Sequence, residues 1–326
     1  MAQYARQKFR IRHAKETRVT ENNPEPPLVK ASVFYRSVFW KLGLVLARNL
    51  PPRISQALCR AIAGIYWRIH PARLEIVARN LAGALKGDHT KALVASKELF
   101  RQFAIKLSDL WRYESGVAID DLFCELTGWE HFLAAQNQNR GVLILTPHLG
   151  NWEFGAPLLA NRGFKLLVIT LDEPDPALTE MRQAARAKWG IETLVIGKNP
   201  FAFVEIIRRL EAGASVALLM DRPPASSTTM VKLFGKPFAA SVAAAELARA
   251  SGCVLLPVYL PRVRKGYAAH ILPEIFYNRP ALRSAESRQQ LTQEIMRVFE
   301  QPIREHLDQW YHFVPIWPEA ETSKEI

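Results

Sequence analysis

The stretch Gly141-Val142-Leu143-Ile144-Leu145-Thr146-Pro147-His148-Leu149-Gly150-Asn151-Trp152-Glu153-Phe154 decides how this chain is read. Its first half is a continuous apolar run, the pattern of a strand buried on both faces. Pro147 and Gly150 then mark a sharp turn, and a helical pattern follows over Trp152–Asn161. Strand, turn and helix in that order belong to an open α/β sheet, in which ligands sit beyond the carboxyl ends of the strands. His148 and Glu153 stand at that place, five positions apart. On one regular helix such positions point about 140° apart. They meet if His148 lies on the turn and Glu153 on the first turn of the helix. Glu153 then accepts the proton-bearing nitrogen of His148 and fixes its tautomer, and the other nitrogen is free to take a proton from a hydroxyl. Backbone amides near Gly150 and Asn151 are the expected donors for developing negative charge. The rival reading is a histidine that caps a helix and a glutamate on its exposed side.

Working outward, further apolar runs occur at Leu166–Thr170, Thr193–Ile196, Ser215–Met220 and Val254–Leu260. Between and beyond them lie helical patterns at Pro176–Trp189, Phe201–Ala212, Ala243–Ala250 and Ala285–His306. Apolar strands alternating with amphipathic helices predict an α/β fold: a largely parallel central sheet with helices on both faces. Upstream, residues 31–115 read as helical. Phe34, Val38, Phe39, Leu42, Val45 and Leu46 recur at helical spacing, Pro51 and Pro52 end that run, and amphipathic runs follow at Ile54–Ile69 and Lys91–Trp111. Residues 1–30 carry Arg6, Lys8, Arg10, Arg12, Lys15 and Arg18 against Glu16 alone in the first 20 positions, and read as a basic flexible tail. The expected organisation is therefore a tail over 1–30, a helical membrane-associating region over 31–115, an α/β core over 116–318 and a short tail over 319–326.

The 326 residues are 49% hydrophobic with a formal net charge of +12, which excludes a disordered chain and favours a polyanionic partner. Cys59, Cys124 and Cys253 form no CxxC pair, and read as reduced thiols of a cytosol-facing protein. No signal peptide is recognised, and the most apolar segment, Ala31–Leu50, is interrupted by Arg36, Lys41 and Arg48. It reads as an amphipathic helix lying on a membrane or on the domain. There is no G-x-G-x-x-G, no P-loop and no H-x-x-x-H, so no metal or nucleotide cofactor is expected. Nucleic-acid motifs are likewise missing.

His148-Leu149-Gly150-Asn151-Trp152-Glu153 after an apolar strand resembles the H-x4-D/E motif of the lysophospholipid acyltransferase superfamily, and the Gly-Asn-Trp interior with Glu last resembles the lipid A biosynthesis (lauroyl and myristoyl) acyltransferases. Leu218-Leu219-Met220-Asp221-Arg222, Val231-Lys232-Leu233-Phe234-Gly235-Lys236-Pro237, Ser241–Pro257, Ala78-Arg79-Asn80-Leu81 and Trp310-Tyr311 with Trp317-Pro318 resemble further family segments in the same order. Together they cover about residues 35–318. The sequence departs from the family at Leu171-Asp172-Glu173-Pro174, where lipid A members usually carry Tyr-Arg-Pro; Arg182 or Arg186 is expected to supply that positive charge.

The resemblance implies an O-acyltransferase without a resident cofactor. Acyl carrier protein or coenzyme A would donate the acyl thioester, and a lipid A-type glycolipid precursor would accept it. The enzyme is expected at the cytoplasmic face of an inner membrane, peripheral or N-terminally anchored on an anionic surface. His148 and Glu153 are the expected catalytic pair. Arg222 is expected beside the oxyanion, Asp221 to orient Arg222 or bind the acceptor, and Phe234 and Gly235 to line a pocket or form a tight turn. The rivals are another lipid acceptor (a lysophospholipid, an amino-acid or phenolic lipid), a hydrolase of the same acyl substrates, or a non-catalytic lipid-binding protein.

Overall fold

A computed structural model describes residues 36–196, 201–222 and 227–318. The basic tail over 1–30, Phe34 and the tail over 319–326 lie outside the described residues.

Four helices come first. α1 (Ser37–Asn49) stops before Pro51. Pro52 and Pro71 open α2 (Pro52–Ile69) and α3 (Pro71–Ala82), where a helix needs no amide hydrogen. The 26-residue α4 (His89–Glu114) is capped by Asp88, whose carboxylate accepts from the Lys91 amide at 3.0 Å. α1, α2 and α3 all pack on α4. Sequence periodicity gave α1, α2 and α4 but not α3, whose Arg73, Glu75 and Arg79 dilute its apolar stripe.

The remainder runs β1 (Phe123–Thr127), α5 (Trp129–Gln136), β2 (Val142–Thr146), α6 (Gly155–Ala160), β3 (Leu166–Leu171), α7 (Pro176–Ala187), β4 (Glu192–Ile196), α8 (Ala202–Glu211), β5 (Ser215–Leu219), β6 (Thr228–Leu233), β7 (Lys236–Ser241), α9 (Ala243–Ser251), β8 (Val254–Tyr259), β9 (Arg262–Val263), β10 (Gly266–Ile271) and α10 (Ala285–Glu305). The main sheet has the order β1-β10-β8-β2-β5-β3-β4, with β9 beside β10. β8, β2, β5, β3 and β4 are parallel neighbours; β10 runs antiparallel to β8, and β1 parallel to β10. The five expected strands form this parallel part. No apolar run marks β1 or β10, since β1 is largely exposed and β10 reads Gly-Tyr-Ala-Ala-His-Ile, without an apolar β-branched run.

β2 is buried along its whole length, and its side chains divide between two cores. Leu143 and Leu145 join Ile206 and Leu210 of α8, Leu247 of α9 and Phe299 of α10. Val142 and Ile144 join Phe132 of α5, Leu158 of α6 and Leu178 of α7. Helices therefore cover both faces of the sheet, and β2 and β5, at its middle, carry their chain ends to one place.

β6 and β7 form a separate hairpin. Its two-residue turn is Phe234-Gly235, with φ of 53° and 80°. Two positive φ values make it a type I′ turn, which matches the twist of the strands. The tight-turn alternative for these residues is the one observed.

Among the described residues no helix is long and apolar enough to cross a membrane. α1 and α2 are nonetheless two-sided. Trp40, Gly43 and Ala47 face inward from α1, and Ser55, Ala63, Gly64 and Trp67 from α2. Val38, Leu42 and Val45 on α1, and Ile54, Leu58, Ile62, Ile65 and Ile69 on α2, are exposed, Ile69 by 65%.

Candidate active site

Thr146 ends β2, and the next residues make the turn that carries His148. Gly150 has φ of 63°, and a Cβ there would lie 2.0 Å from the carbonyl oxygen of Leu260, so only glycine fits. Two backbone strips hold this turn. The Asn151 amide donates to the Leu260 carbonyl at 2.8 Å, at the end of β8. The Gly150 amide donates to the Gln309 carbonyl at 3.0 Å, and the Tyr311 amide to the His148 carbonyl at 2.8 Å. Both amides expected to face an oxyanion are therefore already engaged by backbone carbonyls. The reason is that a short 3-10 turn (Trp152–Phe154) precedes α6, and the residues before it bridge to neighbouring segments, Leu149 to Trp310 and Gly150 to Leu260.

His148 does not meet Glu153. Its partner is Asp221, two residues beyond β5. The His148 Nδ1 lies 2.6 Å from Asp221 Oδ1, and the backbone amide of His148 donates to both carboxylate oxygens at 3.0 and 3.1 Å. A carboxylate accepts, so Nδ1 carries the proton and Nε2 holds a lone pair. Nε2 has no hydrogen-bond partner among the described residues, and 14% of the His148 side chain remains accessible. The pairing follows from topology: β2 and β5 are adjacent and parallel, so their chain ends lie side by side.

Asp221 is fully buried and receives more than His148. Trp310 Nε1 donates to Oδ2 at 2.8 Å, and His312 Nε2 approaches the same oxygen at 3.0 Å. Burial works against its charge, yet the electrostatic contacts and hydrogen bonds from the His148 and His312 rings hold its carboxyl well below the usual carboxylate range. Asp221 makes no ion pair with Arg222 among the described residues, which corrects the expectation that it orients that side chain. Arg222 itself is exposed at the same strand end.

Glu153 is a structural hub. Its carboxylate oxygens lie 2.6 Å from Arg182 Nη2 and 2.9 Å from Arg186 Nη2. Arg182 also reaches Glu173 at 2.6 Å and Glu114 at 3.3 Å. Burial alone would raise the Glu153 carboxyl; Arg182 and Arg186 overcome it and hold the group far below its ordinary value. Arg182 loses stability as a cation through burial, but its three carboxylates raise it well above the normal guanidinium range. With all three partners inside the protein, Arg182 and Arg186 do not offer the free positive charge expected of them.

Beside this network Lys106 of α4 is buried with its ammonium 2.9 Å above the ring of Trp152, between Phe103 and Tyr311. Burial drives its pKa far down, only partly offset by Glu153. The other face of the arrangement is His148, whose ring meets Trp152 edge to face at 5.0 Å between centroids. Phe234 packs edge-on against Trp310 at 5.9 Å, one step removed from Asp221, while Gly235 is exposed at the turn tip.

His148, Asp221 and His312 also bring three metal-ligating atoms within 4.8 Å of one another. The ring nitrogens that face Asp221, Nδ1 of His148 and Nε2 of His312, already satisfy its carboxylate as N–H donors, a donor set that needs no cation.

The family model of bacterial lipid A biosynthesis acyltransferases matches residues 30–318. The chain belongs to this family of acyltransferases. Among curated relatives, the phosphatidylinositol mannoside acyltransferase of Mycolicibacterium smegmatis is 24% identical over 285 residues, covering 84% of this chain and 89% of that protein. The phosphatidylinositol mannoside acyltransferase of Mycobacterium tuberculosis is 25% identical over 192 residues, and the match spans 58% of each chain. The family named from sequence segments is thus the one found. His148 and Glu153 have separate partners: His148 pairs with Asp221, and Glu153 with Arg182 and Arg186. Trp310, His312 and Lys106 escaped the sequence reading as site residues. Trp310 was visible only as part of an aromatic segment, and no spacing rule connects positions 148, 221 and 312.

Proposed function

We propose that this chain is an O-acyltransferase that moves a fatty acyl group from the thioester of acyl carrier protein or coenzyme A to a hydroxyl of a glycolipid. The observation that carries this reading is the His148–Asp221 contact, which leaves Nε2 as an accessible base. Nε2 takes the proton of the acceptor hydroxyl as its oxygen attacks the thioester carbonyl. The tetrahedral intermediate collapses, the carbon–sulfur bond breaks, and the proton passes from Nε2 to the departing thiolate. The products are an ester and a free thiol. Asp221 stabilises the imidazolium and keeps Nδ1 protonated throughout. Arg222, exposed at the same strand end, is the cation we assign to the oxyanion. Glycolipid acceptors are favoured because the relatives are glycolipid acyltransferases; a lipid A-type precursor and a mannosylated phospholipid are the two to compare.

The same reading places the protein on the cytoplasmic face of an inner membrane. The exposed apolar rows of α1 and α2, flanked by Lys41, Arg48, Arg53, Arg60 and Arg68, suit an anionic bilayer surface. The net charge of +12 suits an acidic carrier protein as well.

The test supplies purified protein with a labelled acyl–carrier thioester, or acyl–coenzyme A, and a panel of glycolipid and phospholipid acceptors. Transfer by the parent and its loss in His148→Ala is the expected result. Release of free fatty acid instead of ester would make the protein a hydrolase; no turnover of any acceptor would favour lipid binding without catalysis. In sedimentation with anionic vesicles, the triple change Leu58→Glu, Ile62→Glu and Ile65→Glu is expected to abolish binding, and unchanged binding would remove α2 from the membrane contact.

A further inference from the structure

His312 lies outside the H-x4-E motif, 164 positions from His148. It is nevertheless part of the same hydrogen-bonded centre. A 3-10 turn (Leu307–Gln309) gives way at Trp310 to extended backbone beside the His148 turn, where Leu149 and Trp310 form an antiparallel bridge flanked by the Gly150–Gln309 and His148–Tyr311 backbone bonds. Side chains two apart on extended backbone project to one side. Trp310 and His312 therefore both reach Asp221, and both take Oδ2, at 2.8 and 3.0 Å. The His148 ring takes Oδ1 at 2.6 Å, and the His148 backbone amide is shared between both oxygens at 3.0 and 3.1 Å. The other ring nitrogen of His312, Nδ1, is buried with no hydrogen-bond partner among the described residues. Nε2 faces a carboxylate oxygen, which only accepts, so the single ring proton sits on Nε2. Burial also lowers the His312 pKa, which keeps the ring neutral.

We propose that His312 is a positioning residue for the His148–Asp221 pair, a neutral donor that occupies Oδ2 and so fixes Oδ1 on His148 Nδ1. It moves no proton. A carboxylate has several lone pairs and rotates freely about its Cβ–Cγ bond when unfilled. With Oδ2 held by two ring N–H groups in addition to the shared His148 backbone amide, Asp221 has one orientation left, and His148 one tautomer. The inference rests on the reading of His148 as general base, but its first consequence, the state of the His148 Nδ1–H bond, exists without any substrate.

The experiment uses the full chain labelled with 15N-histidine. The low-field His148 Nδ1–H signal is assigned by its loss in His148→Gln. It is then followed in His312→Phe, which fills the space without a donor, and in His312→Gln, which keeps an N–H. Steady-state transfer from an acyl–carrier thioester is measured on the same samples. In His312→Phe the Nδ1–H signal is expected to move or broaden, and kcat to fall about 10- to 100-fold, the effect of one lost charge-assisted hydrogen bond, with KM little changed. His312→Gln is expected to restore both. A signal unmoved in folded His312→Phe would overturn the proposal, as would equal losses of kcat in the two variants. If His312→Phe does not fold, Trp310→Phe removes the other donor to Oδ2; displacement of the His148 signal supports the proposal and an unmoved signal overturns it. If the parent transfers no acyl group, the functional reading fails while the spectroscopic arm still decides the role of His312.

Discussion

The Asn80 carboxamide, on α3, donates to the carbonyl of His312 at 2.9 Å, across 232 positions of sequence. It also donates to the Val314 carbonyl at 2.8 Å and accepts from the Ile316 amide at 3.3 Å, while Trp317 Nε1 donates to the Asn80 carbonyl at 2.9 Å. One buried asparagine thus pins the segment that brings Trp310 and His312 to Asp221. Asn80→Ala leaves several buried backbone groups unpaired at once, and unfolding in urea is expected to show a loss of roughly 2–4 kcal/mol. Activity measured below the new midpoint should fall as well, because the strand beside His148 is no longer held at its far end.

Asp221→Asn removes the acceptor of the His148 Nδ1 proton and leaves an amide that can donate instead. The imidazole is then free to take the wrong tautomer, and kcat is expected to drop by about four orders of magnitude, as for the aspartate of a serine-protease triad. Glu153→Gln should lose far less activity per unit of folded protein. The reverse order of severity, with both variants folded, would return the orienting role to Glu153.

Glu153 makes its own prediction through stability. Its folded pKa lies below the unfolded one, so its contribution is complete above about pH 4.3, the free glutamate value, and is lost as pH falls toward the folded value. Glu153→Gln leaves Arg186 without its carboxylate in a buried setting and is expected to cost about 3–5 kcal/mol near pH 7. The gap between parent and variant should narrow steadily below pH 4 in thermal denaturation. A gap independent of pH would mean that the buried cluster is not charged.

Lys106 has the opposite sense. Burial lowers its folded pKa, so the folded state disfavours the charged form, and the penalty is largest at low pH and is relieved as pH rises toward the unfolded lysine value. Lys106→Met keeps the length of the side chain and is expected to stabilise the fold by about 1–4 kcal/mol near neutral pH, with a smaller gain at pH 9. Destabilisation at every pH would show that the ammonium's contact with Trp152 outweighs the cost of its burial.

The parts of this fold that were legible in sequence share one physical trait, a long apolar run buried on both sides. β2, β3, β4, β5 and β8 all declared themselves in that way, and so did the turn after β2 through Pro147 and Gly150. β1 and β10 did not, because a half-exposed strand with alanines in it has no period to read. At the site, His148 was legible because a local pattern surrounds it. Its partner was misassigned because a pattern along the chain favours neighbours in sequence, whereas adjacent parallel strands bring together residues 73 positions apart. The engagement of Gly150 and Asn151 by Gln309 and Leu260 was equally out of reach, since both contacts depend on where distant segments dock. Glu153 was found as an important position, and its neighbours Arg182 and Arg186 were found too; their closure into one buried network with Glu114 and Glu173 needed three-dimensional placement.

The segment Gln309–His312, which follows α10, is made late in synthesis. A nascent chain that has emerged only as far as α10 already contains the whole central sheet, with His148 and Asp221 at their strand ends. It still lacks the two ring donors to Asp221 Oδ2 and the Gln309 and Tyr311 backbone bonds to the histidine turn. Until that segment has been made and has docked, the His148–Asp221 pair is assembled but unbraced, so the order of synthesis separates building the sheet from fixing the pair at its edge.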